Sequence, residues 1–178
     1  VIRTRVGYAG GTTKNPTYER IGDHTETTQI EFDPAVISYE KLLEIFWESH
    51  DPTERPYSRQ YAAILFTHDE RQAKAAVASR DRLAARLKRS IHTEIRPAAA
   101  FTRAEDYHQK YYLRRRGELA RQIASAVPDF VDATASARAN GFLGGWGRAA
   151  EFEAELPSLK LPDALAERLR ALLREQER

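Results

Sequence analysis

Neither cysteine nor methionine occurs in the 178 residues. The lack of cysteine excludes disulfides, thiolate metal sites and sulfur nucleophiles within these residues. With no thiol to oxidise or keep reduced, it carries no information on the redox compartment. No apolar run approaches membrane-spanning length, and no charged-then-apolar signal segment opens the chain. An excess of either charge is also missing: 28 Lys and Arg stand against 26 Asp and Glu, a net charge of +2 that demands no nucleic-acid partner. The arginines at 114 to 116 and at 80, 82, 86 and 89 are flanked by acidic residues and read as solvated helix faces. No Gly-x-x-x-x-Gly-Lys phosphate loop or Gly-x-Ser-x-Gly nucleophile turn occurs, and Val6-Gly-Tyr-Ala-Gly-Gly11 lacks the dinucleotide spacing. The 5 histidines include no pair at helical i, i+3 or i+4 spacing, so no metal site is expected.

What the chain does contain, 42% hydrophobic and 30% charged residues, suits one globular domain with a core. Ile2, Thr4, Val6 and Tyr8 alternate with Arg3, Arg5 and Gly7, the pattern of a half-buried strand. A strand that opens without a lead-in suggests an upstream segment, the alternative being a processed terminus that simply begins on a strand. Gly10 to Pro16 reads as a loop, and residues 26 to 32 alternate again, with Glu26, Thr28, Ile30 and Phe32 on one face. Ser38 predicts a cap for an amphipathic helix bearing Leu42, Leu43, Phe46 and Trp47, ended at His50-Asp51-Pro52. Tyr61 to Phe66 is apolar on both faces and reads as a central strand with neighbours on both sides.

Thr67 and Glu70 predict a capping box for a helix over 68–90, and Thr102 and Glu105 another for a helix carrying Tyr107, His108 and Tyr111. Thr93 to Ile95 reads as a short strand closed by Pro97. From 117 onward the chain reads as a helical extension, with a glycine-rich bend at Gly141 to Gly147 and a last helix over 163–177. The order of elements predicts an α+β fold.

Few side chains announce chemistry on their own. Glu26, on the face of Ile30 and Phe32, would have a raised pKa if that face is buried and would then be able to donate a proton near neutrality. It would be an ordinary solvated carboxylate if it lies beyond the strand end. Tyr18 and Tyr61 can hydrogen-bond an oxygen while their rings line a pocket, or serve as rim tyrosines.

A set of segments in order resembles the A-type methionine sulfoxide reductases. They are Val6-Gly-Tyr-Ala-Gly-Gly-Thr-Thr-Lys-Asn-Pro-Thr-Tyr18, Gly22-Asp-His-Thr-Glu26 and Phe32-Asp-Pro34. Ile37-Ser-Tyr-Glu-Lys-Leu-Leu43, Phe46-Trp47, His50-Asp-Pro-Thr53 and Gln60-Tyr61 follow. Thr93-Glu-Ile95, Phe101 and Ala104-Glu-Asp-Tyr-His-Gln109 complete the set.

The resemblance implies a ferredoxin-like α/β roll over residues 1–116, without the family's first strand and helix, and a helical C-terminal extension over 117–178. It implies reduction of methionine-S-sulfoxide, free or in oxidised proteins, by a cysteine thiolate that attacks sulfur and passes through a sulfenic acid. Glu26 matches the family's proton donor, and Tyr18 and Tyr61 match the two phenols that hold the sulfoxide oxygen. Thioredoxin or another thiol is the implied external reductant, with no bound cofactor, in a cytoplasmic, monomeric protein with no membrane or nucleic-acid partner.

Two departures stand out. The family's Gly-Cys-Phe-Trp motif lies upstream of the Val6-Gly-Tyr8 match and is not in this sequence. The stretch Thr53-Glu-Arg-Pro-Tyr-Ser-Arg59 is short, and the family's aspartate there has no clear counterpart; Asp51 is the candidate replacement for binding substrate. A cysteine-free relative that only binds, with a methionine-rich partner as one example, is the alternative reading. Glu26, Tyr18 and Tyr61 favour the reductase, since a binder needs no proton donor.

Overall fold

The computed structural model describes residues 1–176. Strands β1 (Arg3–Ala9), β2 (Thr25–Glu31) and β5 (Phe101–Arg103) form a sheet in the order β2-β1-β5. Strands β3 (Ile64–Thr67) and β4 (Glu94–Pro97) form a parallel pair, with Ile64 opposite Glu94 and Thr67 opposite Pro97. The helices are α1 (Tyr39–Glu48), α2 (Glu70–Leu87), α3 (Tyr111–Arg114), α4 (Gly117–Ala126), α5 (Thr134–Leu143), α6 (Ala149–Leu159) and α7 (Asp163–Gln176). Residue 177 of the expected last helix lies outside the described residues. The architecture is α+β, and among the described residues no helix is long and apolar enough to cross a membrane.

Two compact units divide the chain. One comprises Val6–Thr28 and Phe32–Ala104. The other comprises Val1–Arg5, Gln29–Glu31 and the residues from Glu105 onward, so it joins pieces from both ends of the sequence.

In the first unit, α1 forms as its sequence predicts. Ser38 accepts a hydrogen bond from the Lys41 N–H, and Leu43 and Trp47 are buried. Trp47 donates its indole N–H to Ser79 Oγ on α2 at 2.9 Å, which satisfies the polar atom of a packed ring. Helix α2 starts later than expected. Asp69, not Thr67, is its cap and accepts from Gln72 N–H at 2.7 Å, because Thr67 is held in the β3–β4 ladder. The second expected capping box fails in the same way. Thr102 pairs with Tyr8 in the β1–β5 ladder, and the chain then makes only a 3-10 turn (Asp106–His108) before α3. A glycine at position 7 permits this ladder, since a Cβ there would lie 2.3 Å from the Thr102 carbonyl oxygen.

The expectation for Tyr61 to Phe66 needs correction. The strand begins at Ile64, Tyr61 lies in a turn, and among the described residues β3 pairs with β4 alone. Apolarity on both faces reports coverage of those faces, not the number of neighbours in the sheet plane. Leu65 packs against the cluster of Leu43, Trp47, Ala76 and Leu83 from α1 and α2.

The second unit holds the larger apolar cluster, built from α3 to α7 around residues such as Leu113, Ile123, Phe152 and Leu169. Arg5 clamps Asp132 in bidentate fashion, Nε to Oδ1 at 2.6 Å and Nη2 to Oδ2 at 2.5 Å, and gives Nη1 to Gln29 Oε1 at 3.1 Å. Arg3 pairs with Glu31 at 2.9 Å. These pairs explain why the two arginines of β1 are half-buried, where simple alternation places them in water.

Lys110 adds a titratable element. It is 4% exposed and donates Nζ to the Thr4 carbonyl at 2.5 Å. Burial pulls its ammonium down to about 8. An unfolded lysine keeps its proton to about 10.4. Between those values the unfolded chain binds more protons than the folded one, so stability rises with pH across that window, while below it the cost of burying this charge is full and constant. Urea midpoints of the wild type should therefore gain on those of Lys110→Met between pH 8 and 10. Parallel pH dependences in the two proteins would refute the assignment.

Candidate functional site

Residues 10 to 26 present two of the three candidate groups. Asp23 accepts from the backbone N–H groups and the hydroxyls of both Thr12 and Thr13, at 2.8 to 2.9 Å, which holds its carboxyl well below the usual range. His24 is buried, takes the Gly11 N–H on Nδ1 at 3.2 Å and gives Nε2–H to the Thr13 carbonyl at 2.8 Å. Gly22 has φ +63°, and a Cβ there would meet Thr13 Oγ1 at 2.1 Å, so this loop tolerates only glycine at that position. Tyr18 rides on a tight turn in which Thr17 and Arg20 exchange backbone hydrogen bonds.

A second stitch brings residue 61 to the start of β2. Thr25, fully buried, shares its hydroxyl proton between the carbonyls of Gln60 at 3.0 Å and Ala62 at 3.1 Å. The Glu26 N–H donates to the Gln60 carbonyl at 3.0 Å. Residues 58 to 62 form a turn in which Tyr61 N–H meets the Ser58 carbonyl at 3.2 Å. Tyr18, Glu26 and Tyr61 come together as a result. The Tyr61 phenol is raised above its ordinary value, first by the neighbouring Tyr18 phenol, then by desolvation and by the Glu26 carboxylate; Tyr18 and Tyr61 are also hydrogen-bonded to each other. Both phenols stay open to solvent, at 43% and 55% exposure.

Two corrections follow for Glu26 and Asp51. Glu26 is exposed, and so is Ile30 at 44%; the inward side chains of β2 are Thr25, Thr27 and Gln29. The threonine hydroxyls make this possible because carbonyl oxygens receive them, so a polar residue can take the buried side. The burial expected around the Glu26 carboxyl is thus absent from this chain. Asp51 takes no part in the cluster. Its Oδ1 accepts from the N–H and hydroxyl of Thr53 at 2.8 and 2.7 Å, which lowers its pKa, with a smaller contribution from the nearby Arg89 guanidinium.

Sequence reasoning missed two neighbours. Gln60 donates Nε2–H to Glu26 Oε1 at 2.7 Å, and Tyr57, 94% exposed, lies within electrostatic reach of Tyr61. Gln60 had a signal, its place beside Tyr61 in one of the matching segments; a lone tyrosine in a short loop gave none. Two phenols and a carboxyl, all hydrogen-bonding groups, thus lie near one another. Among the described residues, no group of three or more acidic or histidine side chains could hold a metal ion.

Known proteins match this chain. Residues 1–138 match the model of the family described as peptide methionine sulfoxide reductase. The peptide methionine sulfoxide reductase of Drosophila melanogaster is 40% identical over 163 residues, covering 90% of this chain and 66% of its own length. The A5 enzyme of Oryza sativa subsp. japonica is 41% identical, over 80% of this chain and 59% of its own. This chain therefore spans less than two thirds of these relatives. Reduced Mxr1 of Saccharomyces cerevisiae superimposes with a TM-score of 0.59 and 28% identity, over 65% of this chain and 71% of that one. Methionine sulfoxide reductase A of Corynebacterium diphtheriae gives 0.55 and 32%, over 66% and 65%. The chain belongs to the peptide methionine sulfoxide reductase family.

Proposed function

We propose that this chain supplies the oxygen-binding and proton-donating part of a methionine-S-sulfoxide reductase whose thiolate lies outside the 178 residues. The convergence of Tyr18, Glu26 and Tyr61 carries the reading. A sulfoxide is an oxygen acceptor on a tetrahedral sulfur. Tyr18 and Tyr61 donate hydrogen bonds to that oxygen, and Glu26 delivers a proton to it as a thiolate attacks the sulfur.

The electrons balance through the thiol. Attack forms a sulfur–sulfur bond as the protonated oxygen leaves the methionine sulfur. That oxygen, as water or hydroxide, then bonds to the cysteine sulfur and breaks the sulfur–sulfur bond, so methionine leaves reduced by two electrons and the cysteine is left as a sulfenic acid. A thioredoxin-like or small dithiol then reduces it and releases water. The raised Tyr61 phenol fits this role, since it remains protonated and able to donate throughout the neutral range. A cysteine must come from elsewhere in the protein, because these residues contain none.

Two preparations test this. The purified 178-residue chain, given methionine-S-sulfoxide and dithiothreitol, is expected to yield no methionine. The product of the complete gene is expected to reduce the S epimer and not the R epimer. Turnover by the short chain would overturn the thiol mechanism. A complete product that has no cysteine, or that binds the sulfoxide without reducing it, would establish the binding protein instead.

A further inference from the structure

We infer that Gln60 is a positioning residue for Glu26, whose side-chain amide fixes which carboxyl oxygen carries the proton and how that oxygen is aimed. The inference rests on the reading of Glu26 as proton donor. Glu26 is the second residue of β2 and is exposed. A glutamate in that position ordinarily samples several rotamers. Here Gln60 Nε2 donates to Oε1 at 2.7 Å.

Gln60 is itself tied down. Its carbonyl accepts the Glu26 N–H at 3.0 Å and the hydroxyl of buried Thr25 at 3.0 Å. Side-chain and backbone bonds thus close a ring between residues 25–26 and 60, and the amide reaches the carboxyl from a fixed base.

The consequence is a choice between two oxygens. A protonated carboxyl has one oxygen that donates and one that accepts. An amide N–H can meet only an acceptor, so the oxygen it engages is the one without the proton. With Oε1 engaged, the proton resides on Oε2, and Oε2 is left to face the sulfoxide. Without Gln60 the carboxyl would rotate and present either oxygen. A misaimed catalytic group costs roughly ten- to a hundredfold in rate.

Two measurements test the inference. In the 178-residue chain, one of the two Gln60 side-chain amide protons should be shifted downfield and exchange slowly, and Glu26→Ala should return it to an ordinary position. In the complete gene product, Gln60→Leu should lower the single-turnover rate roughly ten- to a hundredfold with little change in the half-saturating sulfoxide concentration. Introduced on top of Glu26→Gln, the same change should cost less than about twofold, because the group it aims is gone. A purely structural role would cost the same in both backgrounds, and that result overturns the inference, as do ordinary amide protons or an unchanged rate. If Glu26→Gln itself leaves the rate unchanged while Gln60→Leu lowers it, the proton-donor reading is what fails, and this inference falls with it.

Discussion

With Glu26 in its proposed role, Glu26→Gln in the complete gene product should slow the formation of methionine by about a hundredfold or more while leaving sulfoxide binding largely intact. Glutamine keeps the length and shape of the side chain, and its amide oxygen can still accept from Gln60 at the distance now spanned by the 2.7 Å bond. What it lacks is an acidic proton. Sulfur–oxygen cleavage without protonation would expel an oxide-like leaving group, and the neighbouring phenols can only hydrogen-bond to it. Tyr18→Phe or Tyr61→Phe alone should cost less, since the remaining phenol still holds the oxygen. Single-turnover measurements decide the matter: a Glu26→Gln protein with the wild-type rate would remove Glu26 from the mechanism.

The second large effect concerns stability. Phe152 on α6 is fully buried and packs edge-on against Phe142 of α5, with ring centroids 5.2 Å apart. Truncation to alanine removes the ring and leaves a cavity, at a cost of about 3–5 kcal/mol. That is a large part of the 5–15 kcal/mol typical of a folded domain, so Phe152→Ala should lower the urea midpoint sharply or leave the helices unfolded. Val36→Ala, at a highly exposed site, should change stability by less than about 0.5 kcal/mol. Phe152 lies beyond the residues matched by the family model, 1–138. A loss below about 1 kcal/mol would mean that α6 is not an integral part of its unit.

Local signals in the sequence were read correctly where nothing distant competed with them. Ser38 and the Leu43–Trp47 stripe gave α1 because cap and burial lie within one helix. Thr67 and Thr102 misled, since each also fits a strand, and pairing with Pro97 and Tyr8 settled the choice. The face of Glu26 was misassigned for a related reason. Alternation ranks side chains by apolarity, whereas β2 turns inward Thr25, whose hydroxyl is satisfied by the carbonyls at 60 and 62, and Thr27, whose hydroxyl meets the Thr25 carbonyl. The cluster of Tyr18, Glu26 and Tyr61 was named through family resemblance; no spacing rule could have joined a turn at 18 to one at 61. Gln60 was marked only by its place beside Tyr61 in a matching segment, since its contact with Glu26 spans 34 residues.

The clamp between Arg5 and Asp132 has a consequence for synthesis. The two residues are 127 positions apart, and a ribosome adding about 5–20 residues per second needs roughly 6–25 seconds to travel between them. For most of that interval, once the strand has cleared the tunnel, its acidic partner has not yet been made. The unit formed from both ends of the sequence can close only once Asp132 and the helices after it have emerged. A nascent chain stalled before Asp132 should leave Arg3 and Arg5 open to proteases that cut after basic residues, and one released after α7 should protect them.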